Sequence, residues 1–411
     1  MLHLCMSFDS ATIRRQFPFL QQGERTIYLD SAASAQKPEA VLRAMDVCAQ
    51  TRYTNVHRAM YPLAERATED YEAARETVRR FINAQHSDEI IFTKGTTEAL
   101  NLVAKSWGHS LKKGDVIALS LLEHHSNIVP WHQLSEERGT ALAWVDIDEE
   151  GHLHMEDFER ILQEGNVRLV SVTGQSNVLG VRPPLAEIIA KAHAAGALVC
   201  IDAAQLVGHH AIDVQVLDCD FLAFSGHKPY GPTGIGVLYA KRDLLRAMPP
   251  FLGGGHMIRS VKRDGFTPAD APQKFEAGTP PIIEAAGLKA ALEWLAGIGW
   301  KEIEEHESKL IAVACETLQA IPGMRLLGPK NPAELSGCLS FILGGVHPHD
   351  LTTVLGKDGF CLRAGHHCTQ PLHERLGITA STRLSVGIYN TEEEIRSLKP
   401  AILNTIRMLS K

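Results

Sequence analysis

Phe221-Leu222-Ala223-Phe224-Ser225-Gly226-His227-Lys228-Pro229-Tyr230-Gly231-Pro232-Thr233-Gly234-Ile235-Gly236-Val237 reads as one apolar strand, a turn braced by glycine and proline, and the start of a second strand. The turn carries a single lysine just past the strand end. In open α/β sheets the crevice beyond the carboxyl ends of the strands is where ligands bind. A lysine on a loop is ordinarily a solvated charge, but an amine held in such a crevice can form a Schiff base with a carbonyl, and pyridoxal 5′-phosphate is the common carbonyl cofactor. The neighbours decide between the two readings.

Outward from this stretch, apolar runs at 116–120, 141–145, 168–172, 198–201, 221–224 and 236–239 alternate with helical or turn segments. That alternation predicts an α/β fold with a largely parallel sheet. Upstream, Leu63, Ala67, Tyr71, Ala74, Val78 and Phe81 step by three or four and predict an amphipathic helix. Glu89 to Thr93 reads as a short strand, after which Lys94-Gly95-Thr96-Thr97-Glu98 opens another helix. Ile27-Tyr28-Leu29 reads as a brief strand ending in small residues. A Gly/Pro-rich region from Pro249 to Pro281 suits an active-site border or an interface.

Beyond Leu288 the pattern changes to helices near 288–297 and 302–320, then strands and loops. A final helix carries Ile395, Leu398, Ile402, Ile406 and Leu409. The expected organisation is a large domain over 24–287 and a smaller α+β domain over 288–411, with 1–23 packed on the latter.

Composition narrows the function classes. The 411 residues carry a net charge of −7, with 45% hydrophobic and 22% charged residues. This is ordinary for a soluble globular protein, and neither nucleic acid nor an anionic membrane is an expected partner. No apolar run reaches the ~18–20 residues of a membrane-spanning helix. The start lacks a basic segment and is too short for a signal peptide, although Met1 and Met6 are both possible first residues. Eight scattered cysteines without a Cys-x-x-Cys pair read as reduced thiols in a cytoplasmic protein. The doublets among the 20 histidines do not have metal-ligand spacing, so no metal site is expected.

Pyridoxal phosphate asks four things of a protein, and each has a candidate. Asp202 ends the buried run 198–201 and could hold the pyridine nitrogen protonated; an Asp there could equally be a helix N-cap. Gly95-Thr96-Thr97 begins a helix, where aligned N–H groups favour phosphate, and Ser225 and His227 flank the lysine. His124 follows the 116–120 strand and could stack on the ring and move protons. Finally, Arg363-Ala364-Gly365-His366-His367-Cys368-Thr369-Gln370-Pro371 places a cysteine among histidines, the setting of a reactive thiol. Arg383 suits a bidentate grip on a carboxylate. A buried thiol and a structural ion pair are the plainer alternatives for Cys368 and Arg383.

Several of these motifs, with Tyr28-Leu29-Asp30-Ser31-Ala32-Ala33, Asn55-Val56-His57-Arg58, Glu123-His124-His125-Ser126-Asn127, Ser176-Asn177-Val178-Leu179-Gly180, Asp202-Ala203-Ala204-Gln205 and Phe275-Glu276-Ala277-Gly278-Thr279-Pro280, follow in order along nearly the whole chain. Together they resemble the SUF-type, group II cysteine desulfurases, which share their group with selenocysteine lyases in the class V aminotransferase family. The resemblance implies a fold-type I pyridoxal-phosphate enzyme, a homodimer, that turns L-cysteine into L-alanine. It implies Lys228 as the cofactor-binding lysine, Asp202 on the pyridinium, Gln205 on the phenolic oxygen and His124 on the ring. Thr97, Ser225 and His227 would hold the phosphate, with Thr279 reaching in from the other subunit. Asn177 and Arg383 would place the substrate carboxylate, His57 and Arg363 would line the pocket, and Cys368 would accept the sulfur. A SUF-type acceptor protein would then take it, with iron–sulfur cluster assembly the implied use.

Gln273, Lys274, Pro281 and Thr369 depart from the family's usual residues, and the first three bear on the shape of the dimer-contact segment. A transaminase and a kynureninase-like hydrolase share the lysine and aspartate but need no thiol. A non-catalytic scaffold has no need of all three groups. A nicotinamide-binding fold is disfavoured because Gly234-x-Gly236 precedes a strand.

Overall fold

The computed structural model describes residues 9–22 and 26–409, so the choice between Met1 and Met6, and the start of the N-terminal segment, lie outside the described residues. Seven strands form the main sheet: β1 (Ile90–Thr93), β2 (Val116–Ser120), β3 (Ala141–Val145), β4 (Val167–Thr173), β5 (Leu198–Asp202), β6 (Phe221–Ser225) and β7 (Gly236–Ala240). Their spatial order is β1-β7-β6-β5-β4-β2-β3, with only β7 reversed. Five of the seven match the apolar runs closely, and β4 begins one residue early. Continuous apolar strands are what a sheet covered on both faces requires, and the cores on its two faces are separate.

Three helices in the first half fix this sheet: α1 (Glu39–Val47), α2 (Pro62–Phe81) and α3 (Thr96–Ser106). The expected apolar stripe of α2 is realised, with Ala67, Tyr71, Ala74 and Val78 buried. Arg75, 1% exposed, forks onto Glu276 at 2.6 and 2.9 Å and also donates to Ile90 O. This ties α2, β1 and the Gly/Pro-rich region into one unit. That region forms an exposed hairpin of strands Ile258–Lys262 and Gly265–Pro268. Lys274, one of the atypical residues, is buried with its Nζ on the carbonyls of Leu245, Arg246 and Met248, where it closes the C-terminal end of the helix Arg242–Ala247.

The expected division at 287/288 falls inside α4 (Ile282–Ile298). Its Ile282, Ala285, Leu288 and Leu292 are buried in the core beneath the main sheet, against α1 and α2. The change of layer comes at Gly299, before α5 (Trp300–Gln319). A second, antiparallel sheet follows: β8 (Met324–Leu327), β9 (Cys338–Leu343), β10 (Arg363–Gly365) and β11 (Ser381–Ser385), in the order β8-β9-β11-β10.

Ile27–Tyr28, expected in the large domain, instead pairs in parallel with Phe360–Cys361, and Ile27 and Leu29 enter the second core. Two residues make no autonomous strand, so the partner's location decides where they belong. The expected last helix is two, Glu392–Arg396 and Leu398–Leu409. Pro400 has no N–H for the carbonyl four residues back, so it fits the first turn of a new helix and not the interior of one. Between the two sheets, Phe17 packs on Tyr389, Trp294 and Tyr230, and Tyr230, in the lysine turn, accepts the Ile388 N–H. The lysine turn is thereby braced by both layers.

Candidate active site

A cavity of about 220 Å³ opens where the carboxyl ends of β4, β5 and β6 meet the start of α3, roofed by β10 and β11. The parallel topology brings these ends to one edge. The close approach of the α3 start to β7 needs a glycine, because a Cβ on Gly236 would overlap the Gly95 backbone.

Lys228 lies at the floor. Its Nζ donates to Ala32 O, which also accepts from Gln205 Nε2 at 2.9 Å. Burial, reinforced by the Arg383 guanidinium, brings its ammonium down to about 7, so near neutral pH a large share is free amine. Asp202 is 3% exposed at the end of β5. One carboxylate oxygen accepts the Ala204 N–H at 2.9 Å in a turn two residues long, and the next helical turn, Leu206–Gly208, has Gln205 and not Asp202 at its N-cap, so the N-cap alternative is not realised. Burial pushes the Asp202 pKa up to about 6, with Lys228 opposing.

His124 stands on the facing wall. Its Nδ1 accepts the Ser126 N–H at 3.1 Å, so in the neutral ring the proton sits on Nε2. Burial and the nearby cations bring the imidazole down to about 4, so it is neutral over the physiological range. Directly before it, Glu123 is fully buried and receives Ser120 Oγ (2.5 Å), Asn127 Nδ2 (2.7 Å) and Thr173 N (2.9 Å). Burial raises its pKa to about 8 despite these bonds. This anchor was not identified from sequence, although it lies inside a motif, because its partners come from two strand ends.

The start of α3 lines one part of the cavity with Thr96 and Thr97. Thr96 N donates to Ser225 Oγ at 2.9 Å, and Thr97 Oγ1 meets Ser126 Oγ at 2.8 Å. Ser126 is a lining hydroxyl that the sequence reading did not assign. His227 Nδ1 is buried without a hydrogen-bond partner among the described residues. Burial lowers its pKa to about 4, with Lys228 adding to the effect.

At the opposite end Arg363 and Arg383 face each other across paired strands β10 and β11. Like charges directly opposite destabilise a sheet, and among the described residues Asp30 is the one carboxylate at ion-pair distance, 2.9 Å from Arg383. Arg383 is 2% exposed, and its Nε is buried without a hydrogen-bond partner among the described residues. The Asn177 backbone carbonyl accepts from Arg383 Nη1 at 3.0 Å, and its side-chain Nδ2 donates to His367 O at 2.8 Å. An acidic group entering here would find two guanidinium groups and one compensating charge.

Cys368 is half-buried beside His367, which lines the cavity. Both residues adopt left-handed backbone, φ 60° and 51°, a conformation costing roughly 1–2 kcal/mol each for a residue with a side chain. A buried network repays it: His367 and His373 both reach Ser381, and Thr369 bonds back to His366 O.

Three expected site residues do not line the cavity: Cys368 stands one residue beyond the lining His367, and the other two are elsewhere. His57 does not line this chain's cavity; it sits 3.3 Å from Glu72 with its ring 5.1 Å from His256. It belongs to a loop that runs out to exposed Tyr53, Met60 and Tyr61, which carries it away from the cavity. Thr279 lines a separate hollow with Glu276 and Gly234.

The remaining groups fit a pyridoxal phosphate. Among the described residues the buried carboxylate of Asp202 has no ion-pair partner at hydrogen-bond distance and His227 Nδ1 has no hydrogen-bond partner, and the Lys228 amine shares their cavity. The class V aminotransferase model matches residues 27–398. The chain belongs to the class V aminotransferase family. Within this family it is 45% identical to the cysteine desulfurase of Cronobacter sakazakii, over 98% of this chain and all of that protein. It is 46% identical to the cysteine desulfurase of Synechococcus elongatus over 97% of this chain, and spans 64% of that relative's length. Among solved structures, the cysteine desulfurase CsdA of Escherichia coli in an S-sulfonic acid form superposes with a TM-score of 0.91 at 42% identity, covering 98% of this chain and all of that one. The fold is that of the family's pyridoxal-phosphate enzymes, fold type I.

Proposed function

We propose that this class V chain is a pyridoxal-phosphate-dependent cysteine desulfurase that turns L-cysteine into L-alanine and keeps the sulfur as a persulfide on Cys368. One observation carries the reading: the buried Lys228–Asp202 pair and the paired arginines line one small cavity, and His367, which lines it too, sits on the same strained turn as Cys368. A transaminase would leave that cysteine turn without a purpose.

Lys228 would hold the cofactor covalently, Asp202 its ring nitrogen, Gln205 its phenolic oxygen, and Thr97, Ser225 and His227 its phosphate. Bound there, the cofactor supplies a carbonyl for the substrate amine and an electron sink. Arg383 and Arg363 receive the substrate carboxylate, with Asn177 fixing Arg383. Lys228, with its pKa near neutrality, accepts the Cα proton as free amine. Neutral His124 covers the reacting face and presents Nε2–H to it. The Cys368 thiolate attacks the substrate sulfur: an S–S bond forms, the Cβ–S bond breaks, and the electron pair left on carbon takes a proton to give alanine.

The same reading includes a homodimer. His57 and Thr279 stand outside the cavity, and exposed Met60 (97%), Tyr61, Leu252, Val261 and Phe266 supply apolar surface for a second copy, whose His57 and Thr279 would complete the site. It also includes group II membership, a domain division near Gly299, transfer of the persulfide to an acceptor protein, iron–sulfur assembly as the use of the sulfur and selenocysteine lyase as a second activity of the site. The seven described cysteines are unpaired, which suits a cytoplasmic location. Borohydride reduction of the yellow enzyme followed by peptide mapping tests the site: pyridoxyl on Lys228 supports it, and label on another lysine overturns it.

A further inference from the structure

The second histidine of the His124-His125 doublet does not face the cavity, yet it makes two contacts with the cysteine turn. Its backbone N–H donates to Cys368 O at 2.7 Å, and its ring Nε2 accepts the Gln370 N–H at 3.0 Å. Both bonds lie just after the thiol-bearing carbon, one at its own carbonyl and one two residues on. A third bond, from Asn177 Nδ2 to His367 O, lies on the preceding residue. Consecutive peptide groups of the cysteine turn are thus fastened to loops that follow strands β2 and β4.

The ring bond has a chemical requirement. An Nε2 that accepts must be unprotonated, so the ring carries its proton on Nδ1, the opposite tautomer to His124. Burial, reinforced by His366, lowers the His125 pKa and keeps the ring neutral. Gln370 opens the helix α6 (Gln370–Arg375), and the residue before it, Thr369, makes no side-chain cap. His125 supplies from another layer of the molecule the acceptor that the helix start lacks.

We propose that His125 is a positioning residue which sets the reach of the Cys368 thiol. Residues 123–125 then form one indexing turn: Glu123 is its buried anchor, His124 covers the reacting face, and His125 registers the thiol against that face. The proposal rests on Cys368 being the sulfur-accepting thiol. Small displacements of a nucleophile lower rate steeply, so the effect belongs in turnover and not in cofactor or substrate binding.

The test uses the full-length holoenzyme with His125→Ala, His125→Asn and His125→Gln. The terminal oxygen of Gln stands close to where Nε2 stands, whereas that of Asn stands nearer Nδ1. Amide hydrogen exchange over 368–372 should rise tenfold or more in the Ala and Asn variants. Their kcat for alanine formation should fall tenfold or more, with KM within twofold and the cofactor spectrum unchanged. The Gln variant should recover both exchange and kcat to within threefold of the parent. Parental exchange and kcat in the Ala variant would overturn the proposal, as would a Gln variant no better than Ala. Loss of the cofactor spectrum in both Ala and Asn variants would also overturn it, since the turn would then serve the cofactor alone. If the parent forms no alanine from cysteine, the desulfurase reading fails, and the exchange measurement still decides whether His125 holds the turn.

Discussion

Replacing Asp202 by Asn should stabilise the cofactor-free chain and weaken the holoenzyme, two changes of opposite sign from one substitution. Asp202 has its pKa pushed from 3.8 to about 6, with burial the largest cause. An acid with a higher pKa in the folded state binds its proton more tightly there, so ionising it opposes folding. The penalty is absent below pH 3.8, grows as pH rises to about 6, and is complete above that. At about 1.4 kcal/mol per pH unit it reaches roughly 3 kcal/mol. An unfolding entropy of about 2.1 cal/mol/K per residue over the 411 residues converts this to a rise of roughly 3–4 °C in the apo melting point at pH 7.5. With cofactor bound, the carboxylate gains a cationic partner, and Asn forgoes a charged hydrogen bond of about 1.5–3 kcal/mol. Cofactor affinity should therefore fall about ten- to a hundredfold. The assay is calorimetry of apo and holo forms of both proteins at pH 7.5, repeated near pH 4.5, where the apo gain should largely vanish. An apo Asn variant no more stable than the parent at pH 7.5 would refute the assignment of Asp202 as a carboxylate held ready for a cation.

The remaining predictions concern the scaffold, the lysine and the interface. Arg75→Met should destabilise the chain by about 3–5 kcal/mol because it strands the buried Glu276 carboxylate, read as a lower urea midpoint; an unchanged midpoint would show that the pair contributes nothing. In the apo chain, acylation of Lys228 should rise with pH to a plateau above pH 8, since burial brings its pKa down to about 7, while surface lysines keep rising toward pH 10; mass spectrometry of each peptide separates them, and parallel behaviour would refute the shift. Mixing Lys228→Ala with Thr279→Ala subunits should restore one complete site per heterodimer if Thr279 acts across an interface, and no recovery of activity would place Thr279 within its own subunit or outside the site.

The main sheet was legible because its central strands are buried on both faces, so most are nearly continuous apolar runs that end in a small or polar residue. Asp202, Ser225 and Lys228 could be placed at its edge for the same reason. Ile27–Tyr28 was not assignable to the second core, since a two-residue strand takes its place from a partner over 300 residues away. The break at Ser397 was masked by an apolar stripe that continues across Pro400. Glu123 and His125 were visible as motif members, but their roles depend on partners from β4 and the cysteine turn that spacing does not reveal. His57 was expected at the pocket by resemblance, and its loop leads elsewhere within one chain.

The central claim is that sulfur leaves cysteine by transfer to Cys368. Incubating the holoenzyme with L-cysteine, quantifying alanine and weighing the Cys368 peptide without reductant tests this most directly. Alanine should appear together with one added sulfur atom on Cys368, and Cys368→Ala should keep its yellow cofactor while forming no alanine from cysteine. Alanine formation by Cys368→Ala at the parental rate, or sulfur on another cysteine, would contradict the claim.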